Sequence, residues 1–395
     1  MALLRGSAWL IVLAGALCGA SAEYQARREA LRKALPEAVI VLNGGVESAK
    51  DVQDARAPFF QEPNFYYLTG WSQPGARLLI DSHRAILFLP SHDAEREKWT
   101  GPRQAANDRR IEETSGFDTV LPLDRYEVEL RSLAAPAESS AVEKALLRLR
   151  MKKSAAEIAL IERSIEATAA AHRAAWKRAA AGMYEYQVAA LMASVYLDRG
   201  CERSAYAPIV GSGPSALYLH YDRNTRRLEH GELLLMDVGA ECAGYAADVT
   251  RTIPVDGRFT KRQRELYDIV LGAQKAAIRA VKPGVTIGRN TPNSIHQAAF
   301  DYLNSHGKDL HGESLGQYFT HGISHHIGLE VHDVADIAAP LEEGMVISVE
   351  PGLYIPEEQI GIRIEDMVLV TRDGARVLTA ALPREAAEIE KAMAK

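Results

Sequence analysis

Leu233-Leu-Leu-Met-Asp-Val-Gly-Ala-Glu-Cys-Ala-Gly-Tyr-Ala-Ala-Asp-Val-Thr250 is an apolar run, a small-residue turn and a second apolar run, with Asp237 and Asp248 set into it. A turn at Cys242-Ala243 places the two aspartates directly opposite each other on a hairpin. Ser348-Val-Glu-Pro-Gly-Leu-Tyr-Ile-Pro-Glu-Glu-Gln-Ile-Gly-Ile-Arg-Ile-Glu-Asp366 repeats the arithmetic, and a turn near Glu357-Glu358 faces Glu350 with Glu365. Like charges facing each other across a hairpin destabilise it. Two such pairs in one chain make sense when cations sit between them. The chain therefore reads as a metalloenzyme.

Working outward, the segment His321-Gly-Ile-Ser-His-His-Ile-Gly-Leu-Glu-Val-His-Asp333 holds four of the chain's 12 histidines. His325 joins Asp237, Asp248, Glu350 and Glu365 as a fifth candidate ligand. Four carboxylates and one imidazole make a hard donor set that suits Mn²⁺ and tolerates Co²⁺, Fe²⁺ or Zn²⁺. A structural zinc site would use thiolates in a closed tetrahedron. Four carboxylates exceed what one catalytic ion needs, so two ions bridged by shared carboxylates, roughly 3.5–4 Å apart, account for the number. His321 and His332 are placed to orient groups or move protons. His326 points away if the segment is extended, and is read as structural. His220, just upstream of the first hairpin, is within reach of the same cleft. Arg363 shares a strand face with Glu365 and is suited to orient a ligand carboxylate by a charge-assisted hydrogen bond. Tyr354 shares the face of Glu350, where packing explains it as readily as chemistry.

The flanking sequence repeats an order of elements. Ala171–Met183 resembles Ala273–Val285, and each is followed by a second helix, histidines and a carboxylate-bearing hairpin. A duplicated helix–helix–hairpin unit would face its hairpins inward around one site. Upstream, Val39–Leu42, Leu78–Ile80 and Ala85–Leu89 read as strands, with a hairpin at Asp81-Ser82. The aromatic run from Pro58 to Trp71 reads as packed core. Residues 134–140 make a plausible linker, and Val142–Ala180 reads as a helix ended by Gly182. The fold class expected is α/β (α+β), with a smaller domain at 23–140 and a larger one at 141–395.

One early arginine, the apolar stretch Trp9–Cys18 and Ala20-Ser21-Ala22 read as a secretory signal over residues 1–22. The stretch is too short for a transmembrane helix. Leu17 before Cys18 argues for cleavage after Ala22 and an exported, periplasmic or secreted protein over lipid anchoring at Cys18. The formal charge of −6 gives no sign of nucleic-acid binding. Cys201 and Cys242 are too few for a disulfide framework, and both a bond between them and two buried thiols remain open.

Taken together, Met236-Asp-Val-Gly-Ala-Glu241, Gly244-Tyr-Ala-Ala-Asp-Val-Thr-Arg-Thr252, the His321–Asp333 segment, Val349-Glu-Pro-Gly-Leu-Tyr-Ile355 and Gly361-Ile-Arg-Ile-Glu-Asp366 resemble the metal-dependent pita-bread peptidases, specifically the Xaa-Pro aminopeptidases of the aminopeptidase P group. Phe65-Tyr-Tyr-Leu-Thr-Gly-Trp71 and Trp99-Thr-Gly-Pro-Arg103 resemble that group's amino-terminal domain. The resemblance covers residues 39 to about 390. It implies a pita-bread catalytic domain with a pseudo-twofold duplication and release of the first residue from peptides with proline second. By position, Asp237 would chelate one ion, Asp248 and Glu365 would bridge both, and His325 and Glu350 would hold the other. Glu350 would also assist in deprotonating water. His220, His321 and His332 would surround the scissile bond, and the peptide's α-amine would lie near Asp237. The short stretch between His332 and Glu350 lacks an arginine to hold a dipeptide carboxylate, which favours the aminopeptidase over the dipeptide-cleaving prolidases. Methionine aminopeptidases share the ligands but usually lack this amino-terminal domain, and creatinases do not keep the ligands. Family habit implies a dimer or tetramer.

Overall fold

The computed structural model describes residues 7–47 and 59–394. Residues 1–6 of the expected leader lie outside the described residues. No helix among the described residues is long and apolar enough to cross a membrane.

Two compact units divide the chain at Arg150/Met151. The first contains α1 (Ser7–Ala34), β1 (Ile40–Asn43), α2 (Pro63–Thr69), β2 (Arg77–Ile80), β3 (Ala85–Leu89), α3 (Ala94–Thr100), α4 (Ile111–Ser115), β4 (Thr119–Pro122), α5 (Tyr126–Arg131) and α6 (Ser139–Met151). Its sheet runs β1-β2-β3-β4, antiparallel except for the parallel pair β3–β4. The hairpin expected at Asp81 is present, and the Asp81 carboxylate closes it by accepting from the His83 and Arg84 amides. Phe65, Tyr67 and Trp71 are buried as core. The segment expected as a linker belongs to this unit, since Val39 bridges Pro136 and α6 starts at Ser139. The part of α1 that follows the expected cleavage point is tied down: buried Arg28 donates to the Leu68 and Gly116 carbonyls.

The helix expected over Val142–Ala180 is two helices. Ser154 caps α7 (Ala155–Arg178) in a reciprocal capping box with Glu157. Just before it, Lys153 turns inward to pair with Asp333 at 2.8 Å, both side chains almost fully buried. A local cap and a tertiary ion pair together break a sequence whose composition favours continuous helix.

The second unit continues with α8 (Glu185–Asp198), β5 (Arg203–Ser204), β6 (Ile209–Ser212), β7 (Leu233–Val238), β8 (Ala240–Cys242), β9 (Tyr245–Ala246), β10 (Val249–Pro254), α9 (Lys261–Ala280) and α10 (Ile295–Ser305). It ends with β11 (Val346–Val349), β12 (Gly352–Ile355), β13 (Ile360–Arg363), β14 (Asp366–Thr371), β15 (Gly374–Val377) and α11 (Ala386–Met393). The order helix, helix, hairpin occurs twice, as α7–α8–β7/β10 and α9–α10–β11/β14. Buried Ile161, Ile165, Tyr245, Val346 and Met367 pack into one core cluster, which brings α7 and both hairpins together.

The second hairpin has the expected register. Both of its ladders, Val349↔Asp366 and Gly352↔Arg363, are in phase, so Glu350 and Glu365 occupy opposed positions in the gap between them. The first hairpin is displaced. Thr250, not Asp248, lies opposite Asp237, and Cys242 pairs with Tyr245. The turn is therefore Ala243-Gly244, not Cys242-Ala243. Both turn residues have positive φ, 51° and 76°. This left-handed pair matches strand twist in a two-residue hairpin, and Gly244 adopts it without steric cost. Asp237 and Asp248 thus sit diagonally on one face.

A disulfide joins Cys201 to Cys242, closing a sequence separation of 41 residues and tying the chain after α8 to the hairpin tip.

Candidate metal centre and catalytic cleft

Every candidate site residue lines one cleft of about 540 Å³: His220, Asp237, Asp248, His321, His325, His332, Glu350, Arg363 and Glu365. The strands explain the convergence. Asp237 is the penultimate residue of β7, Asp248 precedes β10, and Glu350 and Glu365 fill the break between the second hairpin's ladders. His325 is brought in by main-chain bonds to that hairpin. Its amide donates to Ser348 Oγ, and its carbonyl accepts from the Ser348 amide at 2.9 Å.

One nitrogen of His325 and one oxygen each of Asp248 and Glu365 lie within 4.8 Å of one another. His325 Nε2 is 3.3 Å from Asp248 Oδ2 and 3.6 Å from Glu350 Oε1. Its Nδ1 is 3.2 Å from the His326 carbonyl, which can only accept. That bond places the proton on Nδ1 and leaves the Nε2 lone pair facing the carboxylates. His326 itself is buried and bridges to Ile347, the structural role expected of it.

Asp237 faces the other way. Its Oδ2 accepts from Arg363 Nη2 at 2.5 Å, and its Oδ1 accepts from Tyr206 Oη at 2.5 Å. The Tyr206 hydroxyl also contacts Asp248 Oδ1, so it joins both aspartates. Arg363 therefore orients a candidate ligand, though the carboxylate it holds is Asp237, on the other hairpin. Its Nη1 donates to Tyr354 Oη at 2.8 Å, and that hydroxyl lies 2.9 Å from His321 Nε2. His321 Nδ1 is 2.7 Å from the Gly322 carbonyl. The proton is thus on Nδ1, and Tyr354 donates to Nε2. Tyr354 belongs to a polar chain from His321 to Asp237 rather than to packing alone.

The electrostatics separate the carboxyls. Burial, followed by the charge of Asp237, pushes Asp248 well above the usual carboxylate range. Burial and then the charges of Asp248 and Glu350 do the same to Glu365. Burial raises Glu350, with His325 opposing it. Burial would also raise Asp237, but the Arg363 guanidinium prevails and holds it low. Burial, with Arg363 nearby, depresses His321 to about 3, so it is a neutral imidazole. Burial and then His325 lower His332.

These features fit a cation. Three of the four clustered carboxyls hold protons more tightly than usual, burial being the main cause in each, and a cation held among them would compete with those protons. Glu365 Oε2 accepts from Thr250 Oγ1 at 2.8 Å, while its fully buried Oε1 has no hydrogen-bond partner among the described residues. An acceptor left alone in such a place is expected to have a ligand. The donor set is oxygen-rich with one imidazole, which suits a divalent first-row ion.

Behind the cleft, fully buried Arg251 spans both hairpins. It donates to the Thr250, Glu365, Leu382 and Pro383 carbonyls and to Asp366 Oδ1. Arg384 reaches the other Asp366 oxygen at 2.5 Å. Sequence reasoning missed Tyr206 and Thr250. Tyr206 lies in Ser-Ala-Tyr-Ala-Pro, which carries no pattern. Thr250 would have followed from a left-handed Ala243-Gly244 turn.

Comparison with known proteins agrees with this geometry. Residues 159–372 match the model of metallopeptidase family M24, and residues 24–142 match the aminopeptidase P N-terminal domain. An Xaa-Pro aminopeptidase of Haemophilus influenzae is 34% identical, with 94% of this chain and 97% of that protein covered. The structure of a proline aminopeptidase P II from Yersinia pestis superposes with a TM-score of 0.82 at 32% identity, covering 94% and 99% of the two chains. Aminopeptidase P from E. coli with the inhibitor Pro-Leu gives 0.83 at 31% identity, covering 94% and 98%. A catalytic unit with two carboxylate-bearing hairpins, preceded by a domain of the aminopeptidase P type, places the chain in metallopeptidase family M24.

Proposed function

We infer that this protein is a metal-dependent aminopeptidase that releases the first residue from peptides with proline second. The observation that carries the reading is the closure of Asp248, His325 and Glu365 on one another in the cleft that also holds His220, His321 and His332. The extent of the match to Xaa-Pro aminopeptidases, over most of both chains, supports the substrate class. Proline's tertiary amide lacks an N–H and fixes the local backbone, so a dedicated enzyme for that bond is chemically reasonable.

Asp237, Asp248, His325, Glu350 and Glu365 would hold two divalent ions, with Mn²⁺ preferred. Those ions would supply Lewis acidity toward the scissile carbonyl and lower the pKa of a water. The chain's own groups do the rest. Glu350, a buried carboxyl with a raised proton affinity, accepts the proton of the attacking water and returns it to the leaving amine. Arg363 and Tyr206 hold Asp237 ionised and fixed. An anionic Asp237 suits the free α-amine of the peptide, and this contact restricts cleavage to the first residue. His220 and His332 contact the peptide on either side of the scissile bond. His321, kept neutral, anchors Tyr354 and Arg363. Export fits the Cys201–Cys242 bond, which persists in an oxidising compartment, and a dimer or tetramer follows family habit.

The test compares turnover of Xaa-Pro-Yaa with that of the dipeptide Xaa-Pro, using Mn²⁺-loaded protein lacking residues 1–22. Tripeptide turnover that disappears in Asp248→Ala is the expected result. Turnover confined to the dipeptide would instead make the protein a prolidase.

A further inference from the structure

Glu185 is a fully buried carboxylate outside the metal centre, and among the described residues its side chain bonds to Ser212, at the end of β6, and to Tyr221 and Arg226 in the loop that follows. Its Oε1 accepts from the Ser212 amide at 2.7 Å and the Ser212 hydroxyl at 2.8 Å. Its Oε2 accepts from the Tyr221 hydroxyl and the Arg226 amide, each at 2.8 Å. Ser212 and Arg226 are the two ends of the loop, and Tyr221 is near its middle. Glu185 is also the first residue of α8, where the positive end of the helix dipole favours a carboxylate. A charged acceptor filled by four donors is a strong and geometrically specific anchor.

The loop it closes carries Leu219, His220 and Asp222 into the catalytic cleft. His220 is exposed and sits beside the anchored Tyr221. The Leu219 carbonyl accepts from Arg363, a further tie to the cleft wall. The tip is pinned by Asn224, whose side chain accepts from the Val210 amide and donates to the Pro208 and Asp222 carbonyls. Beyond the turn at Leu219-His220, side-chain bonds hold residues 218–226 in place, and Glu185 ties both Tyr221 and Arg226 to Ser212.

We propose that Glu185 is a positioning residue, which sets the substrate-contacting loop so that His220 meets the peptide in the productive orientation. The inference rests on the peptidase reading above for the role of His220. A misplacement of about 1 Å at a positioning group costs activity by roughly a hundredfold. Glu185→Gln keeps the size but turns an N–H₂ toward two of the four donors, so one side of the anchor is lost whichever way the amide points.

The experiment is a double-mutant cycle on Mn²⁺-loaded full protein with an Xaa-Pro-Yaa substrate. Glu185→Gln is expected to lower kcat/KM by roughly tenfold to a hundredfold when His220 is present, and by less than twofold when His220 is already Ala. Bound metal per chain stays unchanged. Tyr221→Phe removes a single donor, keeps the fold, and is expected to give a smaller effect that also vanishes with His220→Ala. Limited trypsinolysis gives a readout independent of activity, with cleavage at exposed Arg223 rising in Glu185→Gln. Equal losses with and without His220 would mean that Glu185 acts on the fold at large, and overturn the proposal. So would a Glu185→Gln protein with wild-type kcat/KM and unchanged cleavage at Arg223. A silent His220→Ala would remove the proposed route while leaving the peptidase reading to stand on wild-type turnover. Absent wild-type turnover alongside enhanced Arg223 cleavage would overturn the peptidase reading and the route through His220, while establishing the anchor alone.

Discussion

Gly239 lies between β7 and β8, where the chain carrying Asp237 crosses the chain carrying Asp248. A Cβ built there meets the Ala247 carbonyl oxygen at 1.7 Å, the Ala247 carbonyl carbon at 2.6 Å and Tyr206 at 3.1 Å. Raising 1.7 Å to the 3.0 Å below which real Cβ contacts essentially never fall requires Ala247 to retreat by about 1.3 Å. Ala247 cannot retreat alone. Its amide donates to the Ala240 carbonyl, the Ala246 amide donates to Gly328, and Asp248 follows directly in the chain. Gly239→Ala therefore displaces Asp248 by more than 1 Å from His325 and Glu365, and disturbs the Tyr206 hydroxyl that joins the two aspartates. A shift of that size costs on the order of a hundredfold in activity, and overpacking costs about 1–3 kcal/mol of stability. Initial rates on Xaa-Pro-Yaa with saturating Mn²⁺, together with thermal unfolding, measure both effects. A variant that folds and keeps kcat/KM within twofold of wild type would refute the claim that this crossing sets the site.

Three further outcomes are expected. Without metal, Asp248, Glu350 and Glu365 have raised proton affinities in the folded state, so they stabilise the fold at low pH and lose that contribution as pH rises through their raised values. The depressed Asp237 works in the opposite direction. Chelated protein should melt lower at pH 8 than at pH 5.5, with added Mn²⁺ raising the melting temperature more at pH 8; a flat metal-free profile would count against the carboxyl cluster. Reducing Cys201–Cys242, which closes a separation of 41 residues, should lower stability by about 4 kcal/mol, read by denaturant unfolding with and without reductant. Lys153→Met removes the buried ammonium that pairs with Asp333 and should cost about 3–5 kcal/mol, of which Lys153→Met/Asp333→Leu recovers a large part.

What the sequence disclosed depended on how local its determinants were. The second hairpin could be read from its carboxylate spacing because Pro356, Glu357 and Glu358 form a short helical turn centred where symmetry places it. The first could not be read to the residue. Cys242-Ala243 and Ala243-Gly244 both look like small-residue turns, and only the left-handed pair at Ala243 and Gly244 decides between them. The four carboxylates and Arg363 could be located because charged groups are unusual in apolar hairpins, and the histidines because three of them crowd into one segment and His220 lies just before the first hairpin. Tyr206 has no such signature. Its role comes from β5 and β6 placing it between two aspartates more than thirty residues away in sequence. The break before Ser154 was half legible: the Ser154–Glu157 capping box is local, but the ion pair that reinforces it has its other half at Asp333.

The Arg251 network has a consequence for biosynthesis. The arginine holds the Glu365 carbonyl and Asp366 together with Leu382 and Pro383, and Arg384 completes the same cluster. The strand that presents Glu365 is thus fixed by residues near the end of the chain. Chains emerge from the ribosome amino terminus first and fold in that order. The first unit has all its strands available early, but the peptide-cutting centre lacks these fastenings until residues 382–384 have been made. A chain truncated before residue 382 should carry all nine cleft residues yet fail to assemble them.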